Sequence, residues 1–98
     1  MADVYGEEEV RQKLTSYPGW TLGDDGQLHK ELTFKNFAQA MLFANAVGHL
    51  ADSADHHPDL CVYGYKHLRI SLMTHSAEGI TSRDFALIDQ IEALPRRE

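Results

Sequence analysis

The sequence predicts an α+β domain in which a four-stranded antiparallel sheet carries three helices on one face, in the order α-β-β-α-β-β-α. Three observations carry this reading. Two pairs of short stretches alternate apolar and polar residues around turn signals, three stretches repeat apolar residues at helical spacing before, between and after them, and the connections are short throughout. A length of 98 residues with 43% hydrophobic content suits one domain, residues 1–98, with a modest core.

The first helix opens on Glu7-Glu8-Glu9 and closes on Arg11 and Lys13, the arrangement a helix dipole favours. Val10, Leu14 and Tyr17 fall at steps of four and three, and Pro18-Gly19 stops the helix. Trp20-Thr21-Leu22 and the stretch 27–34 then flank Gly23-Asp24-Asp25-Gly26, residues suited to a reversing turn. Leu28, Leu32 and Phe34 share one face of that hairpin, and His29, Glu31 and Thr33 share the other, so the protein's own helices cover only one side of the sheet.

From Lys35 to about Ala54, Phe37, Ala40, Met41, Ala44, Val47 and Ala51 recur at helical spacing, widened by Phe43, Ala46 and Leu50. Asn45, His49, Asp52 and His56 form the polar stripe of this central helix, and an extended last turn would align Asp52 with His56. Pro58 cannot continue the helix and biases His57 toward an extended conformation. Stretches 60–63 and 66–74 then read as strands turning near Gly64-Tyr65, with Leu68, Ile70 and Leu72 on one face. Strict alternation places His75 with Arg69 and Met73 on the opposite face, so His75 joins a shared site only by lying just past the strand end. Thr81-Ser82-Arg83-Asp84 is a capping-box variant opening a helix that turns Leu87, Ile88, Ile91 and Leu94 inward, and Pro95 ends it.

Nine Lys and Arg against 15 Asp and Glu give a net charge of −6, which argues against direct nucleic acid binding and against an anionic membrane surface. The lone cysteine, Cys61, has no intramolecular disulfide partner and, with an apolar residue on each side, reads as a buried strand residue. The stretch 1–9 has neither the basic region nor the apolar run of a signal peptide, and no window approaches a membrane span, so the expected localisation is cytoplasmic. Arg96-Arg97 is the one basic cluster and reads as solvated.

The chemistry-bearing candidates are His56, His57 and His75, because imidazole is the side chain whose unperturbed pKa lies nearest neutrality. Adjacent imidazoles at a helix C-terminus feel opposed influences: the dipole favours protonation, and a charged neighbour disfavours it. Such coupling separates their titrations into an acid and a base. His29, His49 and His67 stand alone and read as structural or exposed. Asp52, Asp84 or Cys61 would supply metal-ligand types, but no HExxH, CxxC or His pair at i and i+4 occurs, and proton transfer is the favoured reading over metal binding.

The segment Asp52-x-x-x-His56-His57-Pro58, followed by an aromatic-bearing hairpin, Thr74-His75 and Thr81-Ser82-Arg83-Asp84-Phe85, resembles the signature of the pterin-4a-carbinolamine dehydratases. The resemblance runs from about Trp20 to Ile91; it departs from the family pattern in carrying Asp52 where Glu is frequent. It implies a sheet backed by three helices, assembly into homodimers or homotetramers, and dehydration of 4a-hydroxytetrahydropterins to quinonoid dihydropterins without a metal or organic cofactor. By the same resemblance, His56 and His75 form the acid and base pair, His57 binds and positions the pterin, and Asp52 orients His56. Asp84 either contacts the site or only caps its helix. Trp20 stacks on the pterin or packs in the core. One branch of the family also serves as a dimerisation cofactor of a homeodomain transcription activator, which makes a protein-binding module the alternative function.

Overall fold

A computed structural model describes residues 4–96; Met1 to Asp3, Arg97 and Glu98 lie outside the described residues. The elements are α1 (Glu7–Leu14), β1 (Thr21–Leu22), β2 (Leu28–Thr33), α2 (Phe37–Ala54), β3 (Asp59–Tyr63), β4 (His67–Leu72), a 3₁₀ turn (His75–Ala77) and α3 (Ser82–Glu92). Four antiparallel strands run in the order β1-β2-β4-β3, so the two hairpins join through their second strands. The predicted fold class is the observed one, with three helices on one face of this sheet.

Alternation decides which side of the sheet the helices cover. Leu28 and Leu32 on β2, and Leu68, Ile70 and Leu72 on β4, are buried against Ala40, Phe43, Ala44, Val47 and Ala51 of α2 and Leu87, Ile88 and Ile91 of α3 in one apolar cluster. On the open side, Glu31 accepts from the Tyr63 hydroxyl at 2.7 Å and from Arg69 Nε at 3.0 Å. His29 bridges Ser71 Oγ at 2.8 Å and the Asp25 carboxylate at 2.9 Å. Gly23 leaves room for this bridge, since a Cβ there would lie 2.8 Å from the His29 ring and push it aside.

Three expectations are corrected. Cys61 is exposed rather than buried, because β3 keeps its alternation and Cys61 shares the open face with its register partner Arg69. Phe37 and Met41 belong to the outer surface of α2, at 49% and 37% exposure, and the buried stripe is narrower than the apolar spacing suggested. Of the Arg96-Arg97 pair, Arg96 is not simply solvated, since its guanidinium lies 3.4 Å from Glu92, and Arg97 lies outside the described residues.

Lys30 breaks the apolar alternation of β2, and the structure shows how. Its side chain is 8% exposed and its ammonium sits 2.9 Å from Glu92 near the end of α3, where Trp20 Nε1 donates to the same carboxylate oxygen at 3.1 Å. Burial pushes the Glu92 carboxyl up, but the hydrogen bonds from Lys30 and Trp20 outweigh it and hold the group below its ordinary 4.5. A depressed carboxyl contributes stability that is present above its unfolded pKa and lost as pH falls through the folded one, so this contribution disappears below about pH 4.5. Lys30→Ala is expected to cost about 2 kcal/mol in urea denaturation at pH 7, with the deficit shrinking on acidification below pH 4.5. A deficit independent of pH would show that packing, not the ion pair, is what Lys30 provides.

Candidate active site

The site begins where α2 stops. Asp55 takes the left-handed conformation, φ 50°, and the His56 N–H closes on the Ala51 carbonyl at 3.0 Å, the 6→1 bond of a Schellman-type end. The Arg83 guanidinium, projecting from the first turn of α3, donates to the Asp55 carbonyl and fixes this reversal. Because the helix ends here, His56 does not continue the polar stripe with Asp52. It turns inward to 6% exposure, and its Nε2 lies 2.6 Å from Oδ1 of the fully buried Asp84. Asp52 reaches His57 instead, at 3.4 Å between its Oδ1 and Nε2, with the His57 side chain 60% exposed. Pro58 is half-buried and leads directly into β3.

Asp84 both caps its helix and meets His56. Its Oδ2 accepts from the Thr81 N–H at 2.9 Å, completing the capping box, and from the Thr74 hydroxyl at 2.8 Å. Thr74 is two residues past the end of β4, buried like Leu72, and its N–H bonds the Gly79 carbonyl at 2.8 Å. His75 then opens the 3₁₀ turn and is exposed. The in-and-out alternation of β4 thus persists past its end, buried at Leu72 and Thr74 and exposed at His75, and this histidine is covalently adjacent to the residue that holds Asp84.

The structure brings together His56, Asp84, Thr74 and Thr81, sets His57 and His75 on the surface, each next in sequence to a member of that network, and pairs Asp52 with His57. Trp20 is elsewhere: it is 4% exposed in the core, tied to Glu92 at the opposite end of α3 from Asp84. A cavity of about 420 Å³ lined by Tyr5, Val10, Arg11, Leu22, Glu78 and Ile80, among others, contains none of the three histidines. Among the described residues, no group of three or more His, Cys, Asp and Glu is arranged to hold a metal ion.

A family model described as pterin 4 alpha carbinolamine dehydratase matches residues 3–94. The chain belongs to this family. Relatives that carry pterin-4-alpha-carbinolamine dehydratase as a provisional name include one from Rubrobacter xylanophilus, 36% identical over 89% of this chain and 80% of its own length. Another, from Sulfolobus acidocaldarius, is 39% identical over 90% of this chain and 94% of its own. A crystal structure described as a transcriptional coactivator/pterin dehydratase from Brucella melitensis superposes with a TM-score of 0.85 at 27% identity, covering 93% of this chain and 97% of that one.

In this member of the pterin 4 alpha carbinolamine dehydratase family, reading the sequence did not find the hydroxyl partners of Asp84. Thr74 and Thr81 stood in the motif, Thr81 as a helix cap and Thr74 with no role. The available signal was that each is a small hydroxyl residue beside an apolar run, where burial demands a hydrogen-bond partner. Arg83 was likewise read only as part of the cap.

Proposed function

We propose that this chain is a 4a-hydroxytetrahydrobiopterin dehydratase, a hydro-lyase acting in tetrahydrobiopterin recycling. The observation supporting the reading best is the buried His56–Asp84 pair at 2.6 Å, with the exposed His57 next in sequence to His56 and the exposed His75 next to Thr74, which bonds Asp84, in a chain of this family. Loss of water from a carbinolamine is redox-neutral. An acid protonates the hydroxyl on C4a, the C–O bond breaks, and water departs. A base removes the ring N–H proton, and the electron pair it leaves forms the C=N bond of the quinonoid dihydropterin. Positioned proton donors and acceptors are each worth typically about 10²- to 10⁴-fold.

His56 and His75 carry the proton transfers. Asp84 accepts from His56 Nε2, which leaves Nδ1 as the basic atom of the neutral ring, so His56 serves as the base and His75 as the acid. His57 binds and positions the pterin, and Asp52 steadies His57 rather than His56. Asp84 orients His56 and stabilises the imidazolium formed when the base takes its proton. The decisive experiment is a dehydration assay on a synthetic 4a-hydroxytetrahydropterin, run from pH 6 to 8. Turnover above the spontaneous rate is expected throughout, and a rate equal to the buffer blank would sink the assignment.

Self-association is the second part of the proposal. α2 carries no Asp, Glu, Lys or Arg between Lys35 and Asp52. Its outer surface presents Phe37, Met41 and Leu42, the last 59% exposed, with Phe37 stacked on Tyr65 at 6.4 Å between ring centroids. An apolar outer face of this kind favours a protein partner over water. We assign it to a homodimer or homotetramer in the cytoplasm. The alternative function, a protein-binding module, uses the same face. A monomeric mass by light scattering at micromolar concentration would refute self-association and favour the module.

A further inference from the structure

The polar network behind His56 has a fixed direction. Asp84 is a carboxylate with three close partners: the Thr81 N–H, the Thr74 hydroxyl and His56 Nε2. The Thr74 hydroxyl spends its only proton on Asp84 Oδ2, so at its 2.8 Å contact with Thr81 Oγ1 it must accept, and Thr81 must donate. Thr81 Oγ1 in turn accepts from the Arg83 N–H at 3.2 Å, one of the amides at the N-terminus of α3 that has no partner within the helix. Every donor along the line, Arg83 N–H to Thr81 to Thr74 to Asp84, points the same way and terminates on the carboxylate facing His56. Thr74 and Thr81 are buried, at 2% and 0% exposure, so water does not compete for these hydroxyls.

We infer that Thr74 and Thr81 are positioning residues for the proton-transfer site, and that their one-way hydroxyl chain holds neutral His56 in the Nε2–H tautomer while anchoring the strand end that presents His75. The inference rests on the dehydratase reading for its kinetic consequence, but not for its structural one. A donor fixed on Oδ2 keeps Oδ1 turned toward Nε2–H, and chains of aligned hydrogen bonds polarise one another. The Thr74 backbone, bonded to Gly79 in both directions, sets where the next residue, His75, leaves the strand. Thr74 therefore serves both halves of the site: its hydroxyl faces His56 through Asp84, and its main chain leads into His75.

The test compares Thr74→Val, which keeps the shape and removes the hydroxyl, with Thr74→Ser, which keeps the hydroxyl. Thr81→Val supplies a second break in the same chain should Thr74→Val fail to fold. Nitrogen-15 NMR of the His56 ring reads the tautomer independently of turnover. Wild type and Thr74→Ser are expected to show the Nε2–H form. The valine variants are expected to show a mixture of tautomers, with kcat lower by roughly tenfold to a hundredfold and KM changed much less. A single Nε2–H tautomer in a folded valine variant, with kcat unchanged, would overturn the inference and leave the dehydratase reading standing. Conversely, a wild-type protein without turnover but with a tautomer that responds to Thr74→Val would sink the dehydratase reading and uphold the hydroxyl chain. A wild-type ring protonated on Nδ1 alone would overturn the inference directly.

Discussion

His75→Ala is expected to slow dehydration by roughly 10²- to 10⁴-fold while leaving stability within about 0.5 kcal/mol of wild type. The two halves of that statement have separate grounds. His75 is exposed, and no side-chain hydrogen bond holds it among the described residues, so its removal breaks no packing and orphans no buried group. The main chain that shapes the 3₁₀ turn is bonded between Thr74 and Gly79, on either side of the imidazole. A circular-dichroism melt and a dehydration assay on the same sample check both halves together. If kcat survives His75→Ala within a factor of two, His75 is not the acid.

His56→Ala is expected to do something different: activity falls by a similar factor, and the protein also loses about 1.5–3 kcal/mol, because the fully buried Asp84 is left without one of its three donors. For a chain of 98 residues that corresponds to a fall in Tm of roughly 10 °C. His56→Gln separates the two losses. An amide can donate from its Nε2 to Asp84 as the imidazole does, so most of the stability returns, but an amide is no base at neutral pH and the activity stays low. Recovery of activity in the glutamine variant would show that His56 acts through structure alone. Chemical denaturation paired with the dehydration assay distinguishes the cases.

The fold was legible because each of its decisions is local. Pro18-Gly19, Gly23 to Gly26 and Gly64 mark the reversals, and Leu68, Ile70 and Leu72 mark the covered face of β4, all by rules that need no tertiary information. Two parts of the site were not local. Spacing placed His56 on the polar stripe with Asp52, since Pro58 marks the end of a helix only to within a few residues, and nothing in sequence shows that the chain turns left-handed at Asp55. Similarly, the choice for Asp84 between capping its helix and meeting His56 was unreadable because its carboxylate does both: one oxygen faces His56 and the other closes the capping box. Cys61 and Phe37 failed for a simpler reason. Apolar character gives a tendency to be buried, but a strand or helix with two sides and one core must leave some of it outside.

The reversal at Asp55 has a consequence for how the two neighbouring histidines differ. His56 and His57 are the same chemical group, adjacent in sequence, yet one is dry and locked to a carboxylate while the other stands in solvent. Their difference in environment is thus written in the backbone and not in the side chains: it depends on the residue at which the helix ends. Deleting one residue just before Asp55 would carry His57 into the place of His56 beside Asp84, and adding one would carry Asp55 there instead, so the two histidines are interchangeable in composition and not in register.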